Sequence, residues 1–70
     1  MRMKIEQAIV HVLALAHRGM TTIQIAKVIN KQQLHVRRDG QPVTSAQIYA
    51  VICHYPDVFA KDGGLIRLLM

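Results

Sequence analysis

The chain has 70 residues, enough for one domain and no more. Just over half of them, 51%, are apolar, which supports one compact core and argues against disorder. Nine Lys/Arg against four Asp/Glu leave a net charge of +5, which points to a polyanionic partner, nucleic acid before an anionic membrane surface. A solvated basic surface is the plain alternative.

Cys53 is the single cysteine, so no internal disulfide can form and nothing argues for secretion. The longest apolar stretch runs from Ala8 to Ala16 with His11 inside it, too short for a bilayer and without a signal-peptide cleavage site. A cytoplasmic, soluble protein is the expectation.

Helix 1 is predicted from Met3 to Arg18, with Ile5, Ala8, Ile9, Val12, Leu13 and Ala16 recurring at helical spacing. Arg18 suits the negative helix end, and Gly19 is expected in the left-handed position that follows it. Val10 and Leu15 fall outside the stripe. A helix apolar on more than one side is either central in the fold or pressed against another chain.

Helix 2 is predicted from Thr22 to Asn30, with Ile25, Ala26, Val28 and Ile29 inward. It opens with Met20-Thr21-Thr22-Ile23-Gln24-Ile25, and the same pattern returns 23 residues later as Val43-Thr44-Ser45-Ala46-Gln47-Ile48. Each copy spells a capping box. The Thr hydroxyl accepts from the N–H three residues on, and the Gln reaches back to the Thr N–H. Met20 with Ile25 and Val43 with Ile48 have the spacing of a hydrophobic staple. Loss of either Thr should cost about 1 kcal/mol.

Between the boxes, Leu34-His35-Val36-Arg37 alternates apolar and polar, a short strand signal, and Asp39-Gly40 marks a turn. Helix 3 is predicted from Ser45 to His54, with Ile48, Val51, Ile52 and Tyr55 inward and Pro56 ending it. Val58 to Lys61, then Asp62-Gly63-Gly64, then Leu65 to Leu69 read as a β-hairpin. Helix, helix, short strand, helix, hairpin is the winged helix-turn-helix arrangement, mainly α with a small sheet. The strand at Leu34 to Arg37 is expected to pair with the hairpin.

Gly40-Gln41-Pro42-Val43-Thr44-Ser45-Ala46-Gln47-Ile48-Tyr49, Pro56-Asp57-Val58-Phe59-Ala60-Lys61 and Gly64-Leu65-Ile66-Arg67-Leu68 resemble the HARE-type winged helix-turn-helix domain. That family has a Gly-Pro segment before the third helix, an Ile/Leu-Tyr within it, and a Phe-x-Lys ahead of a glycine-turned wing. The resemblance spans nearly the whole chain. It implies a module that links larger proteins to DNA or to partner proteins.

In a DNA-binding winged helix the recognition helix enters the major groove and the wing meets the backbone or minor groove. The outward positions of helix 3 are then Ser45, Ala46, Gln47, Tyr49, Ala50, Cys53 and His54. Ser45, Gln47, Tyr49 and His54 are the candidates for base edges or phosphate. Gln47 has a competing job, since a Gln that closes its capping box cannot read a base. Helix 3 carries no Lys or Arg, which removes the commonest guanine contact. The cations lie in the loop (Lys31, Arg37, Arg38) and the wing (Lys61, Arg67), where they could grip phosphates with little sequence choice.

No metal or cofactor is expected. His11 and His17 point in different directions on helix 1, Cys53 and His54 diverge by about 100°, and no glycine-rich phosphate loop is present. The four acids are scattered, so an enzyme is not expected either. Two functions remain: double-stranded DNA binding of modest specificity, or a protein-interaction or dimerisation module using the apolar surface of helix 1. A membrane role lacks a basic amphipathic helix with aromatic anchors.

Overall fold

In the computed structural model, which describes residues 3–69, three helices and a hairpin enclose one hydrophobic cluster. They are α1 (Ile5–Ala16), α2 (Thr22–Gln32), α3 (Ser45–His54), β1 (Phe59–Asp62) and β2 (Leu65–Leu68). Arg2, one of the basic residues, lies outside the described span. This is the winged helix-turn-helix class that the element order predicts. None of the helices is long and apolar enough to cross a membrane.

Each helix contributes one stripe to the core. Ala8, Ile9, Val12 and Leu13 come from α1, Ile25, Ala26 and Ile29 from α2, and Ile48 and Ile52 from α3. Phe59 and Ile66 close the cluster from the hairpin. Tyr55, expected inward, is instead half exposed beyond the end of α3, where its hydroxyl donates to Glu6 at 3.3 Å.

α1 stops earlier than Arg18. His17 takes the left-handed conformation (φ 55°) and its N–H bonds the Leu13 carbonyl, so the cap is His17 and not Gly19. Gly19 has another task. A Cβ there would lie 3.0 Å from Leu65 Cβ and 3.2 Å from Arg67 Cγ, so a side chain at this point of the α1–α2 turn must push the wing back by a few tenths of an ångström.

α2 runs two residues past Asn30 and ends in a Schellman motif with Gln33 left-handed (φ 52°). The Gln33 N–H bonds the Asn30 carbonyl and the Leu34 N–H bonds the Ile29 carbonyl. That closure overturns the strand expected at Leu34 to Arg37. The Leu34 N–H is spent on α2, its carbonyl accepts from the Met3 N–H, and the His35 Nδ1–H donates to the Met3 carbonyl at 2.8 Å. The residue that extends the sheet is Met20, which exchanges both backbone bonds with Ile66 (3.1 and 2.7 Å).

The hairpin is antiparallel with Phe59 opposite Leu68 and Asp62 opposite Leu65. Its two-residue turn is Gly63-Gly64, both at positive φ (57° and 85°), the combination that a type I′ turn requires. Phe59 and Lys61 alternate onto one face, and the first is buried while the second reaches past the core edge toward α3.

Candidate nucleic-acid interface

The start of α3 is fixed from α2. The Asn30 amide donates to the Val43 carbonyl at 2.9 Å and accepts from the Val43 N–H at 2.8 Å, so a side chain serves both backbone groups of a buried residue. The next residue, Thr44, caps the helix by accepting from the Gln47 N–H at 3.1 Å. With Ile48 and Ile52 packed inward, Ala46, Tyr49, Ala50, Cys53 and His54 face solvent, and Ser45 is half-buried.

The two capping boxes differ. At α2 the box is complete, because the Thr21 N–H donates to Gln24 Oε1 at 3.0 Å and the Gln24 N–H to the Thr21 hydroxyl at 3.1 Å. At α3 only the Thr44 half forms, and Gln47 does not reach back. Gln47 Oε1 is buried without a hydrogen-bond partner. The side chain lines an open groove of about 540 Å³ together with His35, Val36, Arg37, Arg38 and Asp39. Gln47 and the loop arginines thus share one groove at the start of α3.

The basic residues divide into free and self-paired sets. Arg37 forms an ion pair with Asp39 at 2.9 Å, and the other Asp39 oxygen accepts from the Gln41 N–H, so the pair is part of the turn itself. Arg67 lies 3.5 Å from Asp62 across the hairpin, with both side chains exposed. Arg38 and Lys31 are exposed and have no acidic partner among the described residues. Lys31 sits on the last turn of α2. His54 packs edge-on against Tyr55, with ring centroids 5.1 Å apart.

Lys61 is the residue whose placement the sequence did not disclose. Its Nζ lies 4.8 Å from the centre of the Tyr49 ring, donates to the Tyr49 hydroxyl at 3.3 Å and approaches Cys53 Sγ to 3.5 Å. The bond to Tyr49, then that to Cys53, raises the lysine pKa above its ordinary value, so the ammonium stays charged at neutral pH. A wing cation therefore lies on the exposed face of a helix that has none of its own. The two-residue period of β1, which puts Lys61 on the side of Phe59, was the available signal.

No family model, curated protein or solved structure matches this chain. Its function is therefore argued from the geometry. Arg38 and Gln47 lie at the N-terminal end of α3, and Tyr49 with Lys61 lies along its exposed face. Gln47 and Tyr49 lie about 200° apart around α3, so these two features flank its exposed face, one from the loop and one from the wing.

Proposed function

We propose that this chain is a DNA-binding winged-helix module of modest sequence specificity, of the HARE type that its sequence resembles, acting in the cytoplasm. The exposed face of α3 (Ser45, Ala46, Tyr49, Ala50) enters the major groove, and Arg38 and Lys61 hold phosphates on either side. The observation that carries this reading is the wing lysine lying over Tyr49, which brings a positive charge to the face of α3. Specificity is modest because no Arg or Lys of α3 is available for a bidentate guanine contact. Gln47 sits beside Arg37 and Arg38 with its Oε1 buried, so it does not present the two-atom edge that a bidentate adenine contact needs.

The test is a fluorescence-anisotropy titration with random-sequence duplex at two salt concentrations, comparing wild type with Arg37→Ala/Arg38→Ala. The variant should bind more weakly, and its log K against log salt should flatten by about 0.9 for each arginine that meets a phosphate. Identical curves for the two proteins would refute the proposal.

A further inference from the structure

We infer that His35 is a further phosphate contact beside Arg38, one that takes up a proton as the duplex binds; this rests on the DNA reading above. The ring is set in place by the end of α2. The Leu34 N–H bonds the Ile29 carbonyl and the Leu34 carbonyl accepts from the Met3 N–H, so the chain meets the N-terminal segment at this point. His35 Nδ1 then lies 2.8 Å from the Met3 carbonyl oxygen.

That contact fixes the tautomer. A carbonyl only accepts, so the proton sits on Nδ1, and in neutral His35 the other nitrogen, Nε2, is a bare acceptor. Nε2 has no hydrogen-bond partner among the described residues, and the one buried unpaired side-chain atom among them is Gln47 Oε1. Nε2 is therefore open to solvent. The ring lines the groove of about 540 Å³ that also holds Arg37, Arg38 and Asp39.

The surroundings of His35 leave its charged form without a partner inside the protein. Arg37, Arg38 and Asp39, all of the same loop, are the charged side chains of the two grooves that His35 lines. α2 contributes Asn30 and Gln33 there and α3 contributes Gln47, none of which titrates. Lys4 lines neither groove, and Glu6 lies elsewhere, accepting from the Tyr55 hydroxyl. Asp39 is already paired with Arg37 at 2.9 Å. No free carboxylate shares the groove, so the anion that an imidazolium would meet must come from outside.

Protonation changes the charge without moving the ring. An imidazolium carries a proton on both nitrogens, so the bond to Met3 survives while Nε2 turns from acceptor to donor. A phosphate oxygen is repelled by the first form and bound by the second through a charge-assisted hydrogen bond. The bound state thus holds the proton more tightly than the free state. The added affinity is complete below the midpoint of the free protein and is lost as pH climbs through that of the complex.

Fluorescence anisotropy with random-sequence duplex at fixed salt, from about pH 5.5 to about pH 8, tests this against His35→Gln, which stays neutral throughout. Wild type should bind roughly tenfold more tightly than the variant at the acid end, and the two should converge at the alkaline end. Any contribution of His11, His17 or His54 is common to both proteins and drops out of the comparison. Thermal melts by circular dichroism check that the variant folds.

A second measurement needs no variant. Followed by NMR, the titration midpoint of the wild-type His35 ring should move up by about one pH unit when duplex is added. Parallel affinity profiles, or a midpoint that duplex leaves in place, would overturn the role of His35 while the DNA reading stands. Absence of duplex binding by wild type at every pH would overturn both.

Discussion

Replacing Asn30 by alanine should be among the most damaging single changes outside the apolar core. The side chain makes two hydrogen bonds to Val43, at 2.9 and 2.8 Å, and Val43 is only 3% exposed. A buried backbone group left without its partner costs about 1–3 kcal/mol. Gln41 and Pro42 beside it are exposed, so water can relieve part of the loss, and the low end of that range, about 1–1.5 kcal/mol, applies to each group. Two groups then cost about 2–3 kcal/mol, less the roughly 0.5 kcal/mol that alanine gains in helix propensity. The net, about 2 kcal/mol, is a large share of the roughly 4–10 kcal/mol expected for 70 residues. At about 4–8 °C per kcal/mol, the Tm should fall by roughly 8–16 °C in a circular-dichroism melt. Asn30→Asp should do no better, because a carboxylate keeps the acceptor for the Val43 N–H but faces the Val43 carbonyl with no donor. An Asn30→Ala protein melting with wild type would show that the clamp does not hold α3.

Gly19→Ala should destabilise by about 1–3 kcal/mol in urea titration, since its new methyl meets Leu65 Cβ at 3.0 Å and that atom is anchored to the wing backbone. Gln24→Ala should cost about 1 kcal/mol by leaving the Thr21 N–H without its acceptor, whereas Gln47→Leu should be neutral or stabilising. The opposite order would contradict the half-formed second box. Tyr49→Phe should move the Lys61 titration, followed by NMR, down toward the ordinary value of 10.5. The sign follows from the raised folded pKa: the Lys61 contact contributes fully below 10.5 and is lost only as pH climbs through the higher folded value. In DNA titrations Arg38→Ala should flatten the salt slope by about 0.9 and Arg37→Ala by less, because Asp39 already holds Arg37. Asp39→Asn should steepen it, and equal effects of the two arginines would show that the Arg37–Asp39 pair opens on binding.

Signals that depend on neighbours along the chain were legible. The limits of α3 follow from a Thr cap and a Pro stop, and the wing turn from Gly63-Gly64. The Thr21 box opened α2 as its spacing implied. The failures lie where a distant residue decides. Gly19 looked like a helix terminator, but its place is against Leu65 and Arg67 on the wing, which would crowd a side chain there, and His17 accepted the left-handed cap instead. Leu34 to Arg37 alternated like a strand, yet its backbone groups were claimed by the end of α2 and by Met3, and Met20 took the place beside Ile66. Asn30 resembled a helix terminus because Asn is common there. Its contact with Val43, across the whole loop, has no local signature.

The charge pattern shows why the candidate site was only half visible. Composition located nine cations but not their availability, which depends on which acids fold beside them. Asp39 and Asp62 read as turn formers, and each also holds an arginine. Turn chemistry and charge neutralisation therefore use the same carboxylates, and the two arginines nearest those turns are the ones withdrawn from the surface field. What remains for a phosphate backbone is Lys31 and Arg38, before α3 in sequence, and Lys61 on the wing after it. Point charges flanking an uncharged helix fix where a duplex lies without distinguishing its bases. Any sequence preference must then come from the side chains between them, Ser45, Ala46, Tyr49 and Ala50. Among these the alanines can meet a thymine methyl and the hydroxyls a phosphate or a base edge, but none supplies a bidentate pair. The absence of arginine from α3 thus limits specificity and leaves affinity to residues outside the helix.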